Sequence, residues 1–151
     1  MDISKIEKFL TIEEIKNLRI KYTHALDTND MEAASLVFAE DAICQTDREP
    51  WNGRAEIKQG LEKAFKDFDL YKRGRYPFLH LISNHLIELN VDDTASGSCY
   101  LIDNVTEREP GENPLLLLGV YKDEYRKING QWYITGSNLE VVWPFVNDKQ
   151  K

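Results

Sequence analysis

A chain of 151 residues with 42% hydrophobic content has the length and apolar fraction of one globular domain, large enough for a two-layer core without disulfides or a structural metal. Its 19 Lys and Arg residues against 26 Asp and Glu give a formal net charge of -7, which disfavours nucleic acid and anionic membranes as partners despite the basic run Lys72, Arg73 and Arg75. Cys44 and Cys99 are too few and too far apart for a disulfide framework or a zinc knuckle, and the acidic opening segment MDISKIEKFLTIEEIK has no signal-peptide core, so a soluble, cytoplasmic protein is expected.

Residues 11–26 place Ile15, Leu18, Tyr22 and Leu26 at helical spacing, with Thr11 and Glu14 as a capping box. A second short helix is predicted after the Thr28-Asn29-Asp30 turn, with Ala33, Ala34, Leu36, Val37 and Phe38 on its apolar side. An extended piece over residues 42–46 precedes a polar turn and Trp51-Asn52-Gly53. Ile57, Leu61, Ala64, Phe65 and Phe68 then restore the helical period for a third helix.

From residue 77 onward the pattern changes to strands. Leu79, Leu81, Ile87, Leu89 and Val91 repeat in strand phase, and residues 90–94 form a turn. The next strand sets Cys99, Leu101, Asp103 and Val105 on one face. REPGENP breaks it, and its partner begins near Leu115. Tyr121 and Tyr125 share a phase before Asn129-Gly130, a hairpin turn leading into Trp132 and Ile134. The last apolar run reaches Trp143, and a flexible, solvated tail is expected from about residue 146. Helices first and a long antiparallel sheet afterwards predict a single α+β domain over residues 1–151, with a strongly curved sheet wrapped around the helices. No phosphate-cradling glycine motif is present, which disfavours a parallel nucleotide-binding sheet.

Three histidines, His24, His80 and His85, bound the imidazole chemistry. His80 opens an apolar strand, where it serves either as a proton-transfer group facing a dry cavity or as a structural histidine at the sheet edge. Asp27 at the end of the first helix can orient His80 and raise its basicity, or it can cap the following turn. Tyr22 can donate to a substrate oxygen or simply pack between helix and sheet. Asp103 shares its strand face with Leu101 and Val105, so its carboxylate must be paired, protonated or placed at a pocket mouth. Asn84 and His85 point in opposite directions unless a bulge intervenes. Trp51, Phe78, Tyr100, Tyr121, Trp143 and Phe145 supply aromatic surface to enclose an apolar ligand. His80 and His85 lack an obvious third ligand, so no metal is expected.

YTHALD at residues 22–27, HLISNHLIEL at 80–89, YLIDN at 100–104 and YKDEYRKINGQWYI at 121–134 together resemble the SnoaL-like branch of the nuclear-transport-factor-2-like superfamily. The similarity spans roughly residues 11–143. It implies a cone-shaped, cystatin-like fold with N-terminal helices packed into the curved antiparallel sheet. Enzymes of this branch include scytalone dehydratase, bile-acid 7-alpha-dehydratase and a hexachlorocyclohexane dehydrochlorinase, which eliminate a small group from a largely apolar ring without an organic cofactor. The resemblance implies that Asp27 and His80 form the proton-abstracting pair, with His80 and Asn84 in an HxxxN arrangement. It also implies that Tyr22 contacts substrate and that Asp103 is a further acidic group.

The branch commonly carries an arginine on the last strand, and residues 136–141 have none. Ser137 and Asn138 are left there to offer neutral hydrogen bonds. The expected function is therefore a cofactor-independent, dehydratase-like lyase acting on a cyclic, largely apolar small molecule. An isomerase or cyclase of a similar substrate and a non-catalytic ligand-binding or assembly protein are the alternatives. A homodimer or homotrimer is expected.

Overall fold

The computed structural model describes residues 3–46 and 48–145. The tail expected from residue 146 lies outside them. Three helices, α1 (Ile3–Asp27), α2 (Met31–Leu36) and α3 (Arg54–Phe68), precede or interrupt six strands. These are β1 (Phe38–Gln45), β2 (Trp51–Asn52), β3 (Phe78–Leu89), β4 (Thr94–Val105), β5 (Leu115–Ile128) and β6 (Gln131–Trp143). They form one curved sheet in the order β2-β1-β6-β5-β4-β3.

The sheet is mixed, which corrects the antiparallel expectation: β1 runs parallel to β6 while every other neighbour is antiparallel. The parallel pair forms because α2 ends directly at the sheet, and the Val37 carbonyl accepts the Ile134 amide. Phe38 therefore starts a strand rather than closing a helix. The α1 helix also begins earlier than its apolar period announces. Its first turns expose Phe9 and Leu10, so they carry no buried stripe, and Thr11 is an interior residue rather than a cap. Asp30 caps α2 as expected, accepting the Ala33 amide.

Bulges decide which side chains face the helices. Along β3, Phe78, His80 and Ile82 turn inward, so Leu79 and Leu81 lie exposed, contrary to their expected grouping with Ile87 and Leu89. Between Ser83 and Leu86 the β3 strand inserts one extra residue against β4, with Asn84 at φ 52°, and the inward phase changes to Ile87 and Leu89. Gly97 on β4 permits this close passage, since a Cβ there would approach the Leu86 carbonyl oxygen to 2.6 Å. The Asn129-Gly130 hairpin has positive φ at both positions, as a type I′ turn requires.

The core lies between the inner sheet face and the three helices, where Ile15, Phe38, Ile57, Leu101 and Ile134 are buried. Within it sits a buried ion pair. Arg19 of α1, exposed by only 1%, donates from Nη2 to Asp123 Oδ1 at 2.7 Å, from Nε to Asp123 Oδ2 at 3.2 Å and from Nη2 to Ser137 Oγ at 2.8 Å. Its guanidinium lies 3.9 Å from the ring centroid of Tyr121 and 4.8 Å from that of Tyr22. Burial opposes the charge, but Asp123 together with the Tyr121 and Tyr22 rings outweighs it and holds Arg19 protonated. Both cysteines are free and buried. Among the described residues no helix is long and apolar enough to cross a membrane.

Removing one partner of this pair strands the other charge in the core. The Asp123→Ala variant is expected to lose about 3–5 kcal/mol of unfolding free energy in urea titration, and the Arg19→Met, Asp123→Leu double variant to regain most of it. A double variant no more stable than the single one contradicts this assignment.

Candidate active site

Asp27 ends α1 at the start of β3, and its carboxylate grips one residue twice. Oδ2 accepts the His80 backbone amide at 3.0 Å, and Oδ1 meets His80 Nδ1 at 2.5 Å. The bland alternative of a turn cap is thereby displaced, because Thr28 instead folds its hydroxyl back on the His24 carbonyl. Directly across the β3–β4 ladder from His80 stands Asp103, whose Oδ2 lies 3.6 Å from His80 Nε2. One imidazole thus has a carboxylate at each nitrogen. Phe78 holds the ring edge-on, with centroids 4.9 Å apart, and only 8% of the His80 side chain is exposed.

His80, Asp103 and Phe78 line a cavity of about 70 Å³, with Asp27 behind the imidazole. Tyr22 and Tyr121 join His80 and Asp103 on its polar side. Burial pushes both phenols well above their ordinary range, against the pull of Arg19 behind their rings, so both remain neutral hydrogen-bond donors. Leu26, Leu61, Phe68, Leu101 and Leu117 are among the apolar walls, and Thr46, Arg48 and Trp51 also line the cavity.

Of the residues singled out from the sequence, Tyr22, Asp27, His80, Asp103, Trp51, Phe78 and Tyr121 therefore gather at one place. The others do not. Tyr100 alternates to the outer face of the sheet and is 52% exposed. Asn84 is exposed at the β3 bulge. The same bulge turns His85 toward Tyr125, whose hydroxyl lies 3.3 Å from its Nε2, away from the cavity. Ser137 is spent on Arg19, and Asn138 is exposed beside Lys122 in a broad depression outside the cavity. An extra residue in β6 before its pairing with Leu118 turns Trp143 outward, and Phe145 beyond it is exposed.

Two residues escaped the sequence reading. Arg19 shares a helix face with Ile15 and Tyr22, and a charge in an apolar stripe signals a buried partner, but nothing local names Asp123. Arg48 lies in a loop without periodicity, so only the fold brings it to the cavity. The basic run at residues 72–75 is partly neutralised, since Arg73 binds the buried Glu107. Among the described residues no cluster of His, Cys, Asp and Glu could hold a metal ion.

Burial disfavours the His80 imidazolium, but the hydrogen bond to Asp27 and the charge of Asp103 outweigh it and raise the His80 pKa above the ordinary histidine value. A raised folded-state value contributes stability that is full below the unfolded pKa of about 6.5 and is lost as pH rises through the folded value. Nuclear magnetic resonance titration of the His80 ring is expected to show an ionisation above that of free histidine, and Asp103→Asn to move it downward. An unchanged midpoint in the variant contradicts the coupling.

No curated protein sequence matches the chain. Among solved structures it is similar to a protein of unknown function with a cystatin-like fold from Nostoc punctiforme, at 26% identity over 96% of both chains and a TM-score of 0.73. An NTF2-like protein with a cystatin-like fold from Novosphingobium aromaticivorans aligns over 98% of this chain and 92% of its own, at 17% identity and a TM-score of 0.80. A candidate scytalone dehydratase from the same organism aligns over 93% and 91%, at 24% identity and a TM-score of 0.74. The SnoaL-like domain family matches residues 7–138, so this chain, with its NTF2-like, cystatin-like fold, belongs to that family.

Proposed function

We propose that the protein is a cofactor-independent lyase of the dehydratase type, acting on a cyclic, largely apolar small molecule. The observation that carries this reading is the Asp27–His80–Asp103 line at the edge of an apolar cavity. Asp27 accepts the Nδ1 proton and so leaves the Nε2 lone pair as the base. Nε2 takes a proton from a substrate carbon beside an electron-withdrawing group. The released electron pair forms a double bond as the neighbouring carbon–oxygen bond breaks. Asp103, in its carboxylic form, gives its proton to the departing oxygen, so water leaves. The proton on Nε2 then crosses to Asp103 and restores both groups.

The reactive form holds as many protons as the ion pair of a His80 imidazolium with an Asp103 carboxylate. The account therefore predicts turnover that persists on the acid side of the His80 ionisation and falls as pH rises through it. Tyr22 and Tyr121 donate to a substrate oxygen that gains negative charge. Their rings lie against Arg19, which brings positive charge from α1 to a site whose last strand has none. The candidate scytalone dehydratase among the structural neighbours is in keeping with elimination chemistry on this fold.

The test is a panel of cyclic β-hydroxy ketones incubated in D2O, followed by conjugated-enone absorbance and mass spectrometry. The expected result is loss of water, reduced about 10²- to 10⁴-fold in kcat by His80→Gln. Deuterium entry without water loss moves the reading to an isomerase. Saturable binding with neither product nor exchange makes the protein a ligand-binding module and overturns the lyase.

A further inference from the structure

We infer that Arg48 anchors a carboxylate on the substrate, which makes the substrate class a ring compound carrying an acidic side chain. The inference rests on the cavity reading above and adds what lies outside it. A space of about 70 Å³ holds little more than the reacting part of a ring compound, so a larger substrate must continue beyond it. Next to it lies an open cleft of about 690 Å³, bordered by Gln45, Glu49, Gly60 and Lys63. Arg48 and Trp51 line both spaces and so form the partition between them.

This partition is built in place. A Cβ at residue 60 would sit 2.1 Å from the Trp51 ring, so Gly60 gives the indole its seat on α3. The Arg48 amide donates to Thr46 Oγ1 at 3.1 Å, and its carbonyl accepts from Gln45 Nε2 at 2.7 Å. Its guanidinium donates from Nη1 to Asp67 at 2.7 Å, and Asp67 also takes Lys63 at 3.0 Å. Among the described residues no other acceptor meets the guanidinium, so its Nε and Nη2 donors remain for a ligand. Its side chain is 31% exposed, enough for a ligand to reach it and enough burial to strengthen the contact.

The surrounding charges restrict the anion. Arg48 and Lys63 both bind Asp67 and Glu49 also borders the cleft, so the described side chains there carry no surplus of positive charge to hold a dianionic phosphate. A planar carboxylate also matches the guanidinium fork. His80 and Asp103 line the same inner cavity as Arg48. The substrate is therefore bound with its reacting carbon at the imidazole and its carboxylate at the partition.

Calorimetry with 3-phenylpropanoate and its uncharged amide tests this, since the two ligands differ in charge and little in shape. Wild type is expected to prefer the acid by about tenfold or more at low ionic strength, a preference that added salt weakens. Arg48→Gln is expected to bring the ratio to about one, whereas His80→Asn keeps the preference while ending any turnover, which separates this inference from the catalytic reading. Equal binding of acid and amide by wild type, binding of neither, or a preference that survives Arg48→Gln overturns it.

Discussion

The grip of Asp27 on β3 is the contact on which both fold and site depend. Its backbone carbonyl accepts the Tyr76 amide at 2.6 Å, and its two carboxylate oxygens take the backbone and ring of His80. A carboxylate at the C-terminal end of a helix is disfavoured by the helix dipole, so Asp27 needs a positive or proton-donating partner there. His80 provides one. The helix end, the strand start and the imidazole thus meet at one residue.

Among the described residues, two charged assemblies flank the cavity-lining tyrosines, and their surroundings differ. Arg19 and Asp123 are fully paired within the core, where each would be costly alone. His80 stands between carboxylates at a cavity edge, where a change of protonation can be tolerated. Tyr22 and Tyr121 separate the two, with rings against Arg19 and places in the cavity lining. The fold therefore brings a cation near the site from a helix, where the last strand offers Ser137. Two neutral phenols stand between that cation and the cavity.

Much of this was legible in the sequence, for local reasons. Ile15, Leu18, Tyr22 and Leu26 marked the packed face of α1, Asn129-Gly130 marked a hairpin, and Asp103 was visible as a carboxylate in an inward strand phase. The resemblance of the YTHALD and HLISNHLIEL segments brought Asp27 and His80 together before any geometry did. What stayed hidden was non-local. The β1–β6 pairing joins residues nearly a hundred positions apart, and no periodic signal announces it. Single-residue bulges in β3 and β6 reversed the faces of Leu79, His85 and Trp143, because strand alternation cannot show where an extra residue enters. Arg19 showed that a partner must exist without showing which, and Arg48 acquires meaning only beside Trp51.

The central claim is that Asp27 fixes His80 in the tautomer whose Nε2 lone pair is available to a substrate. Long-range proton–nitrogen spectra of the protein, recorded above the His80 ionisation, read that tautomer directly. The account predicts a proton on Nδ1 and a bare Nε2, with Asp27→Asn disturbing the assignment. A proton resident on Nε2 in the unaltered protein would contradict it, since the imidazole would then have no base to offer the cavity.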